Sequence, residues 1–201
     1  MKRISILVAA AALAGCANLG GGDGDGWITL IDGDKGLESF DRFGDANWRA
    51  EGGAIVADSG KGGHLVSKGS YRDFELRAEF WAEHNTNSGI YMRCADRAKI
   101  TDKSCYEANI FDERPDPSYG TGGITNFVKV TTPMKAAGKW NVYEITARGS
   151  HISVTLNGTR TAELEHSQLA EGPFTLQYGT LPPTNVPGGA IRWRKLQIRP
   201  L

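Results

Sequence analysis

Short runs of alternating apolar and polar residues, separated by turn-forming residues, dominate the chain. Residues 74–81 alternate apolar and charged side chains, which is the pattern of a strand with one solvated face. Residues 152–156 alternate in the same way, and Asn157-Gly158 then predicts a type I′ hairpin turn. With 26 Gly and 8 Pro in 201 residues, the chain has little room for long helices. The sequence therefore predicts an all-β fold.

Further runs with strand character follow along the whole chain, and no internal repeat is evident. They cover residues 27–31, 54–57, 64–67, 88–93, 105–111, 124–130, 140–147, 159–164, 174–178 and 191–198. Only residues 167–171 have the pattern of a helical turn. About a dozen short strands in one domain predict a sandwich of two antiparallel sheets.

Residues 1–16 predict a secretory signal. Lys2 and Arg3 precede an apolar run over residues 4–14, which is too short to span a bilayer. The Leu-Ala-Gly-Cys sequence that ends at Cys16 resembles the lipobox of bacterial lipoproteins, in which this cysteine is lipidated. Ala17 is similar to the following residue of lipoproteins sorted to the outer membrane. The alternative is an ordinary cleaved signal with an incidental cysteine.

The domain organisation follows from this signal. We expect a Gly-rich tether over residues 17–26 and one domain over residues 27–201, since about 185 residues can bury a sizeable core. The chain has 23 Lys and Arg against 23 Asp and Glu, so it has no basic field for nucleic acid. The expected location is the bacterial cell envelope, at the outer membrane facing the periplasm. The membrane is contacted through the lipid alone.

Two of the three cysteines remain once Cys16 is assigned to the lipid. Cys94 and Cys105 are then the possible internal pair, and an exported protein meets an oxidising compartment. A disulfide closing a loop of about a dozen residues stabilises a fold by roughly 3 kcal/mol. Two free buried thiols are the alternative. Zinc ligands at suitable spacing are lacking.

Two neighbouring runs carry the residues most suited to chemistry. In residues 106–112, Glu107 and Asn109 share one strand face with Phe111, whereas the alternate residues suit a core. In residues 87–93, Tyr91 and Arg93 share a face with a glycine. If the apolar residues that alternate with these face the core in both runs, one side of the sheet carries Glu107, Asn109, Arg93 and Tyr91. Such a face suits a sugar. The alternative is a solvated surface on which the arginine and the glutamate form a weak ion pair.

Other candidates are weaker. Glu107 and Asp112 would lie roughly 17 Å apart along an extended strand, too far for a paired-carboxylate glycosidase. Asp112 is therefore expected to anchor the turn that follows it or to join a metal site. His64 follows two glycines and could border a site, but the four histidines show no metal-ligand spacing. Phosphate-binding loops and nucleophile elbows are absent from the sequence.

Several segments resemble the 3-keto-disaccharide hydrolase family. They are YRDFELR at 71–77, NSGIYMR at 87–93, YEANIFD at 106–112, GKWNVYEI at 138–145, the opening residues 27–33 and the ending residues 191–201. The resemblance covers the whole expected domain, and the motifs occur in the family's order. It implies a concanavalin-like jelly-roll sandwich that binds its ligand on the concave face. It also implies action on glycosides oxidised at C3 of the sugar.

Matched to the family's motifs, Glu107, Arg93 and Asp112 take the catalytic positions. Asn109 stands where relatives commonly carry Gln. Gln177 belongs to a Gln-Tyr-Gly stretch where many relatives have Gln-His-Gly, so a familial histidine is replaced by a tyrosine, and residues 180–189 form an insertion. These departures put catalysis in doubt or mark a different substrate.

The implied chemistry begins with removal of the proton at C2, which the C3 ketone acidifies, and continues with elimination of the aglycone and addition of water. Glu107 is expected to act as the base or as a metal ligand, with Arg93 stabilising negative charge. Asn109, Tyr91, Gln177 and His64 are expected to bind the carbohydrate. One divalent metal ion would suit the chemistry, and the sequence assigns it no ligands. The alternatives are a non-catalytic carbohydrate-binding lipoprotein of the same fold and a purely structural envelope protein.

Overall fold

A computed structural model describes residues 22–23 and 25–201, and it is a sandwich of two antiparallel sheets. The predicted signal and the lipidation site at Cys16 lie outside the described residues. The strands, in chain order, are β1 Gly22–Asp23, β2 Trp27–Asp32, β3 Phe40–Gly44, β4 Arg49–Ala50, β5 Ile55–Ala57, β6 Gly63–Ser67, β7 Phe74–Ala82, β8 Ser88–Met92, β9 Tyr106–Ile110, β10 Trp140–Arg148, β11 His151–Leu156, β12 Thr159–Glu165, β13 Thr175–Tyr178, β14 Thr180–Leu181, β15 Val186–Pro187 and β16 Ile191–Pro200. Two 3-10 helices cover Leu37–Ser39 and Pro117–Tyr119.

The larger sheet has nine strands, with the order β1-β2-β16-β7-β10-β11-β12 and with β4 and β5 attached at β16. Its strands are amphipathic, as the alternation predicts. In β7 the alternate apolar residues from Phe74 to Ala82 are buried in the core, whereas the charged residues and Trp81 between them are more exposed. The outward Arg77 and Glu144 form an ion pair across β7 and β10. Burial of the alternating apolar side chains is therefore the main stabilising term of this sheet.

The smaller sheet has five strands, in the order β3-β6-β13-β8-β9. Its core face carries Leu65, Ile90, Tyr106, Ala108 and Leu176, all fully buried. Its second face is covered as well, because every residue of β8 and β9 is buried. The loop over residues 93–105 provides part of this cover, and the segment over residues 111–131 pairs with the edge of β9. A sheet face that is both polar and buried is the feature that positions the candidate site.

Three local predictions were wrong. Residues 167–171 have no helical turn, and residues 124–130 contribute isolated bridges at Ile124 rather than a strand. Part of the expected tether is a strand, since β1 pairs with β2. Backbone pairing with a neighbouring strand orders these glycine-rich residues, which have no hydrophobic pattern of their own. Among the described residues, no helix has the length and apolar character that a membrane crossing requires.

The expected disulfide between Cys94 and Cys105 is confirmed. Both cysteines pack with Tyr91 and Ile100 in a small apolar cluster on the second face of the five-stranded sheet. Arg97, inside the loop that the disulfide closes, donates to the Ser67 carbonyl and to Asp41. The disulfide and these bonds hold the loop across the sheet.

Replacing both cysteines by alanine is expected to lower the free energy of unfolding by roughly 3 kcal/mol, because the unfolded chain regains the entropy of an open loop. Urea denaturation of the wild type and of Cys94→Ala/Cys105→Ala measures the difference. A reductant should destabilise the wild type and leave the double variant unchanged. Equal urea midpoints for the two proteins would show that the loop is held by its other contacts.

Candidate active site

The second face of the five-stranded sheet carries two adjacent rows of side chains, set by the register of the strands. One row contains Asn109, Gly89, Gln177, His64 and Phe43, in that order across the sheet. The neighbouring row contains Glu107, Tyr91, Thr175, Val66 and Asp41. The predicted placement of Glu107, Asn109 and Tyr91 on one face is therefore confirmed, and Gln177 and His64 lie on it too.

Glu107 is a buried carboxylate, with 4% of the residue exposed. Burial removes water from the charged form and raises the pKa of Glu107 to about 7. The hydroxyls of Thr125 and Tyr91 and the positive charge of Arg114 act in the opposite direction. The result is a carboxyl group that can accept or release a proton near neutral pH, as a general acid–base catalyst must.

Gly89 provides the space that Glu107 occupies. A Cβ atom at position 89 would lie 3.0 Å from Glu107 Oε1 and 3.2 Å from its Cγ. A side chain there would crowd both the Ala108 carbonyl and the Glu107 carboxylate, so the carboxylate would have to shift. Gly89, which lies between Asn109 and Gln177 across the sheet, thus leaves a depression in the sheet surface. The Glu107 carboxylate lies over this depression.

Tyr91 links Glu107 to two further polar side chains. Gln177 Nε2 donates to the Tyr91 hydroxyl at 3.0 Å. The rings of His64 and Tyr91 meet edge to face with centroids 5.2 Å apart, and His64 Nδ1 lies 2.9 Å from Thr175 Oγ1. Burial lowers the pKa of His64 to about 4, so the imidazole is neutral at pH 7.

A cleft of about 410 Å³ opens beside this cluster, and Gln177 and His64 form part of its wall. Its other lining residues are Phe43, Gly44, Lys61, Gly62, Gly63, Asn87, Ala98, Ile100, Tyr178, Gly179 and Thr180. Ala98 and Ile100 belong to the disulfide-closed loop. Lys61 is the one charged side chain among these residues. The volume lies within the range of small-molecule sites.

Two buried oxygens near the cluster have no hydrogen-bond partner among the described residues: Asn109 Oδ1 and Gln177 Oε1. Unpaired polar atoms in a protein interior cost free energy, and they are typical of places where a ligand supplies the partner. Asn109 Nδ2 is already bound to the Tyr119 carbonyl. The polar face is therefore built to receive hydrogen-bond donors, such as hydroxyl groups.

Arg93 does not share this face, so that placement was wrong. The backbone of Arg93 has φ of 49°, in the left-handed region, and this breaks the strand alternation directly after Met92. Its guanidinium is buried on the other side of the sheet, where it donates to the carbonyls of Arg72 and Gly149 and pairs with Asp73 at 3.1 Å. Arg93 is a structural residue that ties loops together.

Asp112 is also separate from Glu107. Its carboxylate accepts hydrogen bonds from the Thr121 hydroxyl and from the backbone N–H groups of Ala136 and Ala137. These bonds anchor the segment before β10 rather than the turn over residues 113–117. Because its oxygens are engaged in this way, Asp112 has a structural role at the edge of the sandwich.

Tyr178, which stands at the familial histidine position, lies in the core and donates to the Gly188 carbonyl at 2.8 Å. Gly188 belongs to the insertion that contains the β14–β15 hairpin, and Thr180 of this hairpin lines the cleft. The two departures from the family pattern are therefore connected. Tyr178 binds the inserted segment, and the inserted segment forms part of the cleft wall.

Sequence reasoning missed three residues of the site: Lys61, Thr125 and Arg114. Lys61 stands in a Gly-Lys-Gly-Gly-His stretch, whose glycines could have indicated a close backbone approach. Arg114 lies in a loop, and its positive charge lowers the pKa of Glu107. No local sequence pattern shows that these two residues interact. Thr125 reaches the site because the segment after β9 folds back along it, with Thr125 N–H donating to the Glu107 carbonyl.

The donor set around Glu107 is poor for a resident divalent cation. It offers one carboxylate and otherwise neutral amide and hydroxyl oxygens, whereas Mg²⁺ and Ca²⁺ sites usually combine several oxygens with more negative charge. Within the described part of the chain, no three His, Cys, Asp or Glu side chains are grouped to hold a metal. The expected divalent ion stays a prediction.

The architecture and the site together define a β-sandwich of the jelly-roll class with a polar, partly enclosed sheet face. The chain belongs to the family described as the 3-keto-alpha-glucoside-1,2-lyase-like domain, which matches residues 26–199. The resemblance read from the sequence motifs is thereby confirmed. No curated protein matches the chain significantly.

Solved structures share the fold. A crystal structure from Parabacteroides distasonis, provisionally named a glycosyl hydrolase, has 23% identity and a TM-score of 0.66, and the match covers 87% of this chain and 99% of that one. The carbohydrate-binding module CBM66 of Bacillus subtilis has 16% identity and a TM-score of 0.57, over 87% and 95% of the two chains. The mannose-bound lumenal domain of VIP36 has 9% identity and a TM-score of 0.58, over 86% and 89%. The predicted jelly-roll fold is confirmed.

Proposed function

We propose that this protein cleaves glycosides whose sugar carries a ketone at C3, with Glu107 as the base that removes the C2 proton. The observation that carries the proposal is a buried carboxylate with a pKa of about 7, on a polar sheet face beside a cleft. The family description, 3-keto-alpha-glucoside-1,2-lyase-like, supports the substrate class. A carbohydrate ligand is further supported by the names of the structural neighbours.

The first step breaks the C2–H bond. Glu107 gains the proton, and the electron pair forms the C2–C3 double bond of an enolate whose charge resides on the C3 oxygen. Collapse of the enolate restores the ketone, forms a C1–C2 double bond and expels the glycosidic oxygen, which takes the proton that Glu107 had gained and so returns the carboxylate to its ionised form. Addition of water to the double bond completes the net hydrolysis. A base of near-neutral pKa suits the first step, because it is ionised before reaction and holds the proton afterwards.

The remaining site residues bind the sugar and stabilise the enolate oxygen. Arg93 cannot do this from its buried position, so Lys61 and neutral His64 take the role. His64 Nε2 makes no hydrogen bond with the described residues and is available to a substrate oxygen. The unpaired oxygens of Gln177 and Asn109 accept from sugar hydroxyls. The site thus offers a sugar both hydrogen-bond donors and hydrogen-bond acceptors.

The test is incubation of the full mature chain with a 3-keto-disaccharide and, separately, with the same unoxidised disaccharide. We expect release of free sugar from the oxidised substrate alone, because only a C3 ketone acidifies C2. A parallel sample with EDTA tests the predicted divalent ion. Turnover of the unoxidised disaccharide, or absence of product from both, contradicts the proposal.

The pH dependence of turnover follows from the carboxyl group of Glu107. Since its folded-state pKa is about 7, we expect kcat/KM to fall on the acid side of neutral pH as the base becomes protonated. The slope should approach tenfold per pH unit well below the midpoint. Initial rates between pH 5 and 9 in buffers of constant ionic strength measure it. A rate that is constant down to pH 5 would remove Glu107 from the proton transfer.

A non-catalytic carbohydrate-binding module is the second candidate. It is favoured by the likeness to CBM66 and by the absence of any Asp or Glu among the described residues that line the cleft. The same incubation separates the two functions. Saturable binding of the 3-keto-disaccharide without product would establish the module, and product formation would establish the enzyme.

We also propose the location read from the sequence: a lipoprotein anchored through Cys16 in the bacterial outer membrane and facing the periplasm. The disulfide supports an oxidising compartment outside the cytoplasm. Metabolic labelling with a clickable fatty acid should modify the wild type and leave Cys16→Ser unlabelled. Labelling of the variant would contradict the anchor.

A further inference from the structure

We infer that the loop over residues 95–104, named the gate loop, opens about the Cys94–Cys105 disulfide and then joins the cleft to Glu107. The inference rests on the proposed function, because it concerns how substrate reaches the proposed base. The disulfide-closed loop then controls access to the site as well as stabilising the fold.

The burial of Glu107 is the first reason. A general base must come within hydrogen-bond reach of the proton it takes. Glu107 is 4% exposed and Tyr91 beside it is 5% exposed, and neither is among the residues that line the cleft. Both alternate with core residues on their strands, so their side chains lie on the face that the loops cover. Substrate in the cleft therefore reaches the carboxylate only when this cover moves.

The gate loop lies between the cleft and the buried pair. Its residues Ala98 and Ile100 line the cleft, and Ile100 also packs against Tyr91 and the disulfide. The negative charge of Asp102, in the same loop, acts on Glu107 and raises its pKa, which shows that the loop passes close to the carboxylate as well. Displacing this one segment would open the cleft towards both side chains.

Internal hydrogen bonds allow the gate loop to move as one unit. The Ala95 N–H donates to the Ser104 carbonyl at 2.9 Å, which closes the base of the loop. Ser104 Oγ lies 2.9 Å from Thr101 Oγ1, inside the loop. The disulfide fixes the two points at which the loop joins the sheet. A compact loop with fixed ends opens by rotating about those ends and keeps its own structure.

Few bonds hold the gate loop down, and they are exposed. Among the described residues, its hydrogen bonds to the rest of the chain involve two side chains. Arg97 pairs with Asp41 of β3 at 2.7 Å and donates to the Ser67 carbonyl, whereas Asp102 accepts from Asn126 at 2.8 Å. The Arg97 and Asp41 side chains are 39% and 47% exposed, and ion pairs of this kind are weak. Local opening of the loop is therefore much easier than unfolding of the sandwich.

Arg97→Glu tests the gate, because it removes the donor to Ser67 and places a like charge opposite Asp41. The probe is a water-soluble carbodiimide with glycinamide, which labels protonated carboxyl groups that it can reach. Glu107, with a pKa of about 7, is mainly protonated at pH 6. We expect its labelling rate, measured by peptide mass spectrometry at low conversion and normalised to exposed Glu163, to rise about tenfold over the wild type.

The matched control is Arg97→Glu/Asp41→Arg, which reverses the ion pair and restores the net charge. Its Glu107 labelling should return to near the wild-type rate. Asp41→Asn releases the same ion pair from β3 without changing the loop, so it tests the gate even if Arg97→Glu does not fold. Circular dichroism and thermal unfolding establish that each variant is folded.

Equal Glu107 labelling in the wild type, Arg97→Glu and Asp41→Asn overturns the gate and leaves the proposed function intact, because the labelling requires no sugar. Fast labelling that the reversed ion pair does not slow also overturns it. If labelling follows the expected order but the wild type releases no sugar from a 3-keto-disaccharide, the gate is supported and the proposed function is overturned.

Discussion

Glu107→Gln is expected to abolish turnover and to stabilise the protein at the same time. Loss of a general base typically costs about 10²- to 10⁴-fold in rate, and Gln keeps the shape of the side chain without its charge. The same substitution removes a carboxylate that pays a desolvation cost in the folded protein. Activity and stability should therefore change in opposite directions.

The sign of the stability effect follows from proton linkage. The folded protein raises the pKa of Glu107 from its ordinary value of 4.5 to about 7, so it holds the proton more tightly than the unfolded chain does. The free energy of unfolding then decreases as pH rises from about 4.5 to 7. Above this window the cost reaches about 3 kcal/mol, which Glu107→Gln recovers.

The measurement is thermal unfolding of both proteins at pH 5 and pH 8, together with turnover at pH 8. We expect the variant to melt roughly 5–10 °C above the wild type at pH 8, and the difference to shrink at pH 5. Glu163→Gln, a half-exposed glutamate on β12, is the control and should alter neither quantity much. A variant that is less stable than the wild type at pH 8 would show that Glu107 is stabilised by a charge partner.

Arg93→Met is expected to lower the free energy of unfolding by roughly 2–4 kcal/mol, because it removes a fully buried guanidinium that donates to two carbonyls and to Asp73. The Arg93 side chain is fully buried, and its partner Asp73 is 31% exposed. The substitution also leaves the carbonyls of Arg72 and Gly149 without their donor. Urea denaturation measures the loss.

This variant also separates the structural role of Arg93 from the catalytic role that its motif implied. Because its guanidinium lies away from the cleft, turnover per folded molecule should stay within about threefold of wild type. Arg160→Met, which breaks an exposed ion pair with Glu163, should change stability by less than about 1 kcal/mol. A large loss of kcat in a folded Arg93→Met protein would show that Arg93 takes part in the mechanism.

Much of the fold was predictable because strand alternation is a local property. The alternate apolar positions of β7, β8 and β9 are the ones that the structure buries in the core. The disulfide partners are the two cysteines that remain once Cys16 is assigned to the lipid. The strands β1, β3, β4, β14 and β15 were missed. They are short or lack alternation, and pairing with neighbours defines them rather than their own side chains.

The amino-acid sequence by itself determined the two-sheet sandwich and the common face of Glu107, Asn109 and Tyr91, because a strand's period of two assigns its faces wherever the backbone stays extended. Only the tertiary structure decided that Arg93 leaves that face, since one left-handed residue reverses the alternation that follows it. It also decided the proton affinity of Glu107. That quantity depends on loops distant in sequence that exclude water from the carboxylate, and burial of this kind leaves no local pattern in the chain.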